Sequence, residues 1–284
     1  MNPAAIRETL ASATVSLREG GIENPRLDAE VLLACVLQES RTGLYINMDK
    51  IIARPDLDRY GTYIERRLTG EPVAYITGER EFMSLAFHVD RNVLIPRPET
   101  EVLVEEALAI KPLRIVDVGT GSGAIAVSLA YYLPESLVTA IDLSANALRV
   151  AEANAKSNRV GDRITFLPGN LLTPLDRPEF FGKFDLITAN LPYIPSTEVV
   201  NLPIDVRQFE PSTALDGGAD GLHYYRELGP VAYRLLKNRG TLLLEIGYDQ
   251  YRRIRDLLAG LGYANIIVIK DLAGLDRVVK ATKP

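Results

Sequence analysis

Val116-Asp117-Val118-Gly119-Thr120-Gly121-Ser122-Gly123-Ala124-Ile125-Ala126-Val127 is the stretch that decides the fold. A buried strand runs into three alternating glycines and out into an apolar helix. Such a turn needs backbone conformations that side chains resist, and it leaves room for a ligand to approach the backbone. The next strand closes on Asp142, where a carboxylate can accept both hydroxyls of a ribose. Together the glycine loop and the acidic strand end point to a nucleoside-containing cofactor. Gly119-x-Gly121-x-x-Ala124 also satisfies the relaxed dinucleotide fingerprint, and a plain strand–helix turn would look similar. Asp117 and Glu99 are expected beside the loop. Carboxylates suit a ligand carrying an ammonium and a sulfonium better than a pyrophosphate, which favours S-adenosylmethionine.

Around that loop the pattern alternates. Strand-like LRIVDV (113–118), LVTAID (137–142), ITFL (164–167), FDLITA (184–189) and TLLLEI (241–246) are separated by helical stretches, which predicts a mostly parallel α/β sheet. Ser144 sits at an N-cap position before ANALRVAEANAKSN, and Gly161 follows its last turn. ANIIVIK and DRVVKAT, joined through a short loop with Gly274, read as a closing antiparallel pair.

Toward the N-terminus apolar residues recur at helical spacing: Ile6, Leu10, Ala13 and Leu17, then Leu27, Val31 and Ala34, then Leu57, Ile64 and Leu68. Phe82, Leu85, Phe87 and Val89 alternate with polar residues and predict a short hairpin. The predicted organisation is a helical domain over 1–75, a hairpin linker over 76–92 and the α/β domain over 93–284.

The chain has 284 residues, 47% of them hydrophobic, with 32 basic and 37 acidic side chains and a net charge of −5. This composition excludes a disordered chain or a small disulfide scaffold. Its one cysteine, Cys35 in EVLLACVL, is expected to be a buried structural thiol. The first 20 residues carry charges throughout, and no run approaches the ~18 apolar residues of a membrane span, so a cytoplasmic protein is expected. Acidic groups outnumber basic ones both before and after residue 88, which argues against a grip on nucleic acid.

FDLITA leads straight into Asn190-Leu191-Pro192-Tyr193, at the carboxyl end of the sheet. Pro192 stiffens this turn and restricts Leu191. The turn can aim the Asn190 side-chain oxygen and the Leu191 carbonyl at the two hydrogens of one –NH₂ group, while Tyr193 offers a flat face to a planar amide or base. Methyl transfer to such a nitrogen needs orientation and electrostatics and no obligatory strong base. His88 and His223 lack a neighbouring nucleophile or metal-ligand spacing and read as structural, and no metal site is expected.

At this point the sequence resembles a known family, the protein-glutamine methyltransferases that modify peptide chain release factors. The matching segments are RLDAEVLLACVL (26–37), GEPVAYITGEREF (70–82), VLIPRPETE (93–101), VDVGTGSGAIA (116–126), ANLPYIP (189–195) and DGGADGL (216–222). The resemblance implies a seven-stranded, Rossmann-like class I methyltransferase domain behind a small helical N-terminal domain; because that helical domain is separate from the cofactor motifs and carries no chemistry of its own, it is expected to dock the protein substrate. It implies transfer from S-adenosylmethionine to the side-chain amide of the glutamine in the Gly-Gly-Gln motif of release factors. Carried over by position, Gly119, Thr120, Gly121, Ser122 and Gly123 would wrap the methionine part of the donor and Asp142 its ribose. Asn170 and Leu171 would border the adenine. Asn190, Leu191, Pro192 and Tyr193 would hold the glutamine amide, Asn190 as the catalytic residue, and Arg97 to Thr100 would form a loop over the cofactor. Two positions depart from the family: Leu191 stands where a proline is usual, and Asn170 where an aspartate is frequent. A ribosomal-protein glutamine methyltransferase, an adenine-N6 DNA methyltransferase and a non-catalytic binding module are the alternatives. The chain is expected to act as a monomer.

Overall fold

The computed structural model describes residues 4–284. The chain divides into two units, residues 4–78 with Pro203–Phe209, and Glu79–Leu202 with Glu210–Pro284.

The first unit is helical: α1 (Ile6–Glu19), α2 (Pro25–Leu37), α3 (Arg41–Ile46), α4 (Arg54–Leu68) and α5 (Val73–Thr77). Helical spacing brings Ile6, Leu10, Leu17, Leu32, Leu33, Leu44 and Leu57 into one core, where each fully buried side chain stabilises by about 1.5–3 kcal/mol. The Tyr60 hydroxyl donates to the Ala29 carbonyl at 3.0 Å, and Arg67 pairs with Asp28 at 2.7 Å. Three expectations fail here. Leu27 and Leu68 are exposed, and Cys35 is half-buried, because its position falls beside the stripe that buries Leu32, Leu33 and Val36. The segment Pro203–Phe209, far along the chain, joins this unit, with Ile204 packed on the bare backbone of Gly70.

The second unit opens with the hairpin β1 (Glu79–Phe82) and β2 (Leu85–His88), paired in register from Glu79 opposite His88 to Phe82 opposite Leu85. Met83 and Ser84 form its turn with positive φ. The Met83 amide is held by the Glu101 carboxylate at 2.7 Å, and its carbonyl accepts from Tyr132 at 2.7 Å.

Then follow α6 (Glu101–Ile110), β3 (Arg114–Val118), α7 (Ala124–Tyr132), β4 (Leu137–Asp142), α8 (Ala145–Ser157), β5 (Ile164–Pro168) and β6 (Phe184–Ala189). After the helix His223–Leu235 come β7 (Leu236–Glu245), the helix Tyr251–Gly260, β8 (Ala264–Lys270) and β9 (Asp276–Thr282). The sheet runs β5-β4-β3-β6-β7-β9-β8, parallel except where β9 inserts antiparallel between β7 and β8. Leu103, Val104, Ile125 and Leu129 pack one face together with Phe82 and Phe87 of the hairpin. Tyr225, Leu228, Ile254 and Leu258 pack the other.

Ser144 caps α8 as its spacing predicts, accepting from the Ala147 amide at 3.2 Å. The helix ends earlier than Gly161, at Ser157, and Arg159 rather than a glycine takes the left-handed conformation after it. Strand β7 begins five residues before TLLLEI, through the polar Lys237-Asn238-Arg239-Gly240. No helix among the described residues is long and apolar enough to cross a membrane.

Strand order reverses at β3, which lies between β4 and β6. At such a switch point the loops leaving the carboxyl ends of neighbouring strands part and open a crevice. Here those loops are the glycine loop after β3 and the Asn190–Tyr193 turn after β6.

Candidate active site

The glycine loop is tied down from several sides. Gly119, Gly121 and Gly123 have φ of 71°, 55° and 80°, values that a side chain strains to adopt. The amides of Gly119 and Thr120 both donate to the Ile141 carbonyl, at 2.8 and 3.0 Å. From the end of β4, the Asp142 carboxylate accepts from the Gly121 amide at 2.8 Å and from the Ser144 amide at 2.9 Å. Burial raises the Asp142 pKa, and these backbone amides oppose the rise.

Asp117 lies beneath the loop and does not face a ligand. It is fully buried and accepts from the hydroxyls of Thr120 at 2.7 Å and Thr188 at 2.8 Å. Burial pushes its carboxyl up to about 6 against those hydrogen bonds. Glu99 is exposed and outside the cavity. The expected pair of carboxylates around a cationic ligand therefore reduces to Asp142, because Asp117 is spent on bracing the loop.

A further brace comes from α8. The buried Asn154 accepts from the His88 amide at 2.7 Å and donates to the His88 carbonyl at 2.9 Å and the Ser122 carbonyl at 2.8 Å. One side chain thus joins the hairpin to the glycine loop.

The second wall is the turn after β6. Asn190 donates from Nδ2 to the Thr100 hydroxyl at 3.2 Å. The Leu191 side chain is buried under the turn. The DGGADGL stretch supports the turn from behind: Ile194 and Asp216 form an isolated parallel bridge. A Cβ on Gly217 would stand 2.7 Å from the Pro192 carbonyl oxygen, and one on Gly221 would stand 2.3 Å from that of Tyr193. Only glycine allows this approach. Gln250 donates to the Tyr193 carbonyl at 2.8 Å.

Between the two walls lies a cavity of about 410 Å³, within the range of small-molecule sites. It brings together Gly119, Thr120, Gly121, Ser122, Asp142, Asn170, Leu171, Asn190, Leu191 and Pro192. Gly123 and Tyr193 lie outside its lining. Gly123 is instead the point of closest approach to α8, where a Cβ would stand 3.0 Å from that of Ala151. Tyr193 is half-buried, and burial raises its phenol to about 12 beside Glu245 and Arg277.

Of the Arg97–Thr100 loop, Arg97 and Thr100 line the cavity, and Arg97 is held by the buried Glu210 at 2.6 Å. Thr100 is the N-cap residue of α6 but makes no side-chain capping bond. Asn92, Leu143, Thr213, Ala214 and Tyr224 also line the site, and no spacing in the sequence marked them. His223 is exposed, 3.4 Å from Glu227, and away from the lining.

The donor set fits S-adenosylmethionine. The Asp142 carboxylate, an open glycine backbone and the apolar side chains of Ile125 and Ala147 in the same lining suit the ribose and base of a nucleoside.

Residues 8–78 match the family model described as the PrmC N-terminal domain, and residues 111–257 match a methyltransferase domain. The release factor glutamine methyltransferase of Moorella thermoacetica is 46% identical over 277 residues, covering 96% of each chain. That of Vibrio cholerae is 43% identical over 276 residues, covering 96% of this chain and 95% of its own. A solved methyltransferase from Pyrococcus furiosus superposes with a TM-score of 0.54 at 16% identity, over 78% of this chain and 98% of the other, a likeness of fold.

Sheet order, crevice and domain match together define a class I methyltransferase that takes its methyl group from S-adenosylmethionine. Within that class the chain belongs to the release factor glutamine methyltransferase family.

Proposed function

We propose that this protein methylates release factors on the side-chain amide nitrogen of the glutamine in their Gly-Gly-Gln motif. The observation that carries this reading is the Asn190 side chain. Its Nδ2 is engaged by Thr100, in a turn that lines the same cavity as the glycine loop. With the nitrogen engaged, Oδ1 is the end left to accept a hydrogen bond from the acceptor, and the Leu191 carbonyl supplies a second acceptor. An amide –NH₂ has two hydrogens to give, so the pair holds it in one plane and one direction.

Gly119 to Ser122 hold the donor through open backbone, Asp142 its ribose, and Asn170 and Leu171 its adenine. When bound, S-adenosylmethionine supplies a methyl carbon made electrophilic by its sulfonium. The chain's part is orientation: it turns the delocalised amide lone pair toward that carbon and stabilises the positive charge that grows on the nitrogen. The nitrogen then releases one proton.

Leu191 leaves this arrangement intact, since it contributes a backbone carbonyl and buries its side chain. The helical unit, which contributes no residue to the cavity lining, serves as the docking surface for the release factor, with Tyr45 and Ile46 among its exposed side chains.

The test is Asn190→Ala with a release factor as substrate. Turnover is expected to fall on the order of 10²-fold or more, as for loss of a transition-state hydrogen bond, with donor affinity little changed. Near-normal turnover would remove Asn190 from the mechanism.

A further inference from the structure

Pro96-Arg97-Pro98 sets an arginine between two prolines, and Glu210-Pro211 sets a glutamate before another. A proline restricts the residue before it to extended backbone, and Arg97 has φ −97° and ψ 143°. From that fixed backbone Arg97 Nη2 donates to Glu210 Oε1 at 2.6 Å. The Glu210 side chain is 1% exposed and that of Arg97 34%. The glutamate is therefore the buried anchor of the pair, and the arginine is the partner that lines the cavity. Its Nε and Nη1 make no hydrogen bond to the described residues, and a guanidinium can serve a second carboxylate with the donors that the first leaves over.

Among the described residues that line the cavity, Arg97 is the one cation and Asp142 the one anion. S-Adenosylmethionine carries a carboxylate on its methionine part, and a carboxylate taken out of water without a partner is costly. Asp142 would repel it. The glycine loop has little to offer it, because the amides of Gly119, Thr120, Gly121 and Gly123 are already given to protein oxygens.

The strand order places that carboxylate near Arg97. β5, β4, β3 and β6 lie side by side in that order, ending at Asn170, Asp142, the glycine loop and the Asn190 turn. A donor with its adenine by Asn170 and its ribose on Asp142 runs its methionine part toward Asn190. Asn190 bonds Thr100, whose amide donates to the Arg97 carbonyl at 3.1 Å. We propose that Arg97, aimed by Glu210, binds the α-carboxylate of the donor. This rests on the donor placement given under Proposed function and not on the identity of the acceptor.

The experiment titrates the full-length protein calorimetrically with S-adenosylmethionine and with its decarboxylated analogue. The wild type should bind the analogue about tenfold more weakly or worse, the scale of a hydrogen-bonded charge. Arg97→Ala should lose a similar factor for S-adenosylmethionine and stay within about twofold for the analogue, so that the discrimination disappears. Arg97→Gln replaces it if melting curves show that the alanine variant is unfolded. Asp142→Asn is the control and should weaken both ligands alike. Equal wild-type affinities for the two ligands overturn the proposal without any variant. An Arg97 loss shared equally by both ligands overturns it too, as does unchanged donor affinity with a raised KM for the release factor, which would turn Arg97 toward the acceptor. Wild-type binding of both ligands by Asp142→Asn would instead remove the donor placement, and the proposal with it.

Discussion

The Cδ2 methyl of Leu191 stands 3.1 Å from the point where a Cβ on Gly119 would lie. The two loops that form the site are therefore in contact through their smallest and one of their larger residues. A methyl group added to the donor-binding loop at Gly119 would press on the Leu191 side chain of the turn that holds the acceptor. Leu191, where the family usually has proline, thus acts through packing: it fills the space that Gly119 leaves and replaces a fixed φ with a buried side chain.

Gly119→Ala should weaken donor binding and slow turnover together. Alanine at φ 71° costs about 1–2 kcal/mol, and its methyl group presses on Leu191. Calorimetry should show an affinity about tenfold lower or worse. Unchanged affinity would mean that the loop relaxes freely.

Asp142→Asn should also weaken the donor. The carboxylate accepts from the amides of Gly121 and Ser144 with separate oxygens, and asparagine keeps only one acceptor oxygen. Loss of charge-assisted bonds of this kind costs about 1.5–3 kcal/mol. A donor titration with wild-type affinity would place the ribose elsewhere.

Asn154→Ala should destabilise the second unit by about 1–3 kcal/mol for each buried group left unpaired. The buried Ser122 carbonyl loses its partner, and the exposed His88 backbone loses its two bonds to α8. Urea unfolding measures this directly, and a midpoint equal to wild type would show that the hairpin and the loop are held by packing alone.

Two buried carboxyls should each withdraw stability as pH rises from about 4 to 7, and single variants isolate their share. Burial lifts Asp117 from 3.8 to about 6 and Glu245 from 4.5 to about 7. A carboxyl with a raised folded pKa is stabilising below its unfolded pKa, and that contribution is lost as pH passes through the folded value. At 1.36 kcal/mol per pKa unit, each group accounts for about 3 kcal/mol. Asp117→Asn and Glu245→Gln should each flatten part of that slope in urea titrations across the range. Slopes parallel to wild type in both variants would show that the carboxyls are not so displaced.

Much of this arrangement was legible in the sequence because its signals are local. Glycine spacing, the Ser144 cap and the alternation of strand and helix are short-range patterns, and each appears where its spacing puts it. What stayed hidden depends on partners far along the chain. Asn154 reads as one more polar residue of a helix face until His88 and Ser122 are folded against it. Glu245 looks like the polar end of a strand until the fold buries it and leaves its Oε2 without a partner. Strand β7 begins among charged residues because Lys237 can reach out to Asp185 at 2.6 Å while its backbone continues the strand. Asp117 was visible as a carboxylate beside the loop, but its direction was not, since that is set by Thr188 on the neighbouring strand.

The central claim is the acceptor. Purified protein is incubated with labelled S-adenosylmethionine and a release factor carrying either its Gly-Gly-Gln loop or the same loop with Gln→Ala. The account predicts label on the first and none on the second. Equal labelling of both, or labelling of neither while calorimetry shows the donor bound, would contradict it.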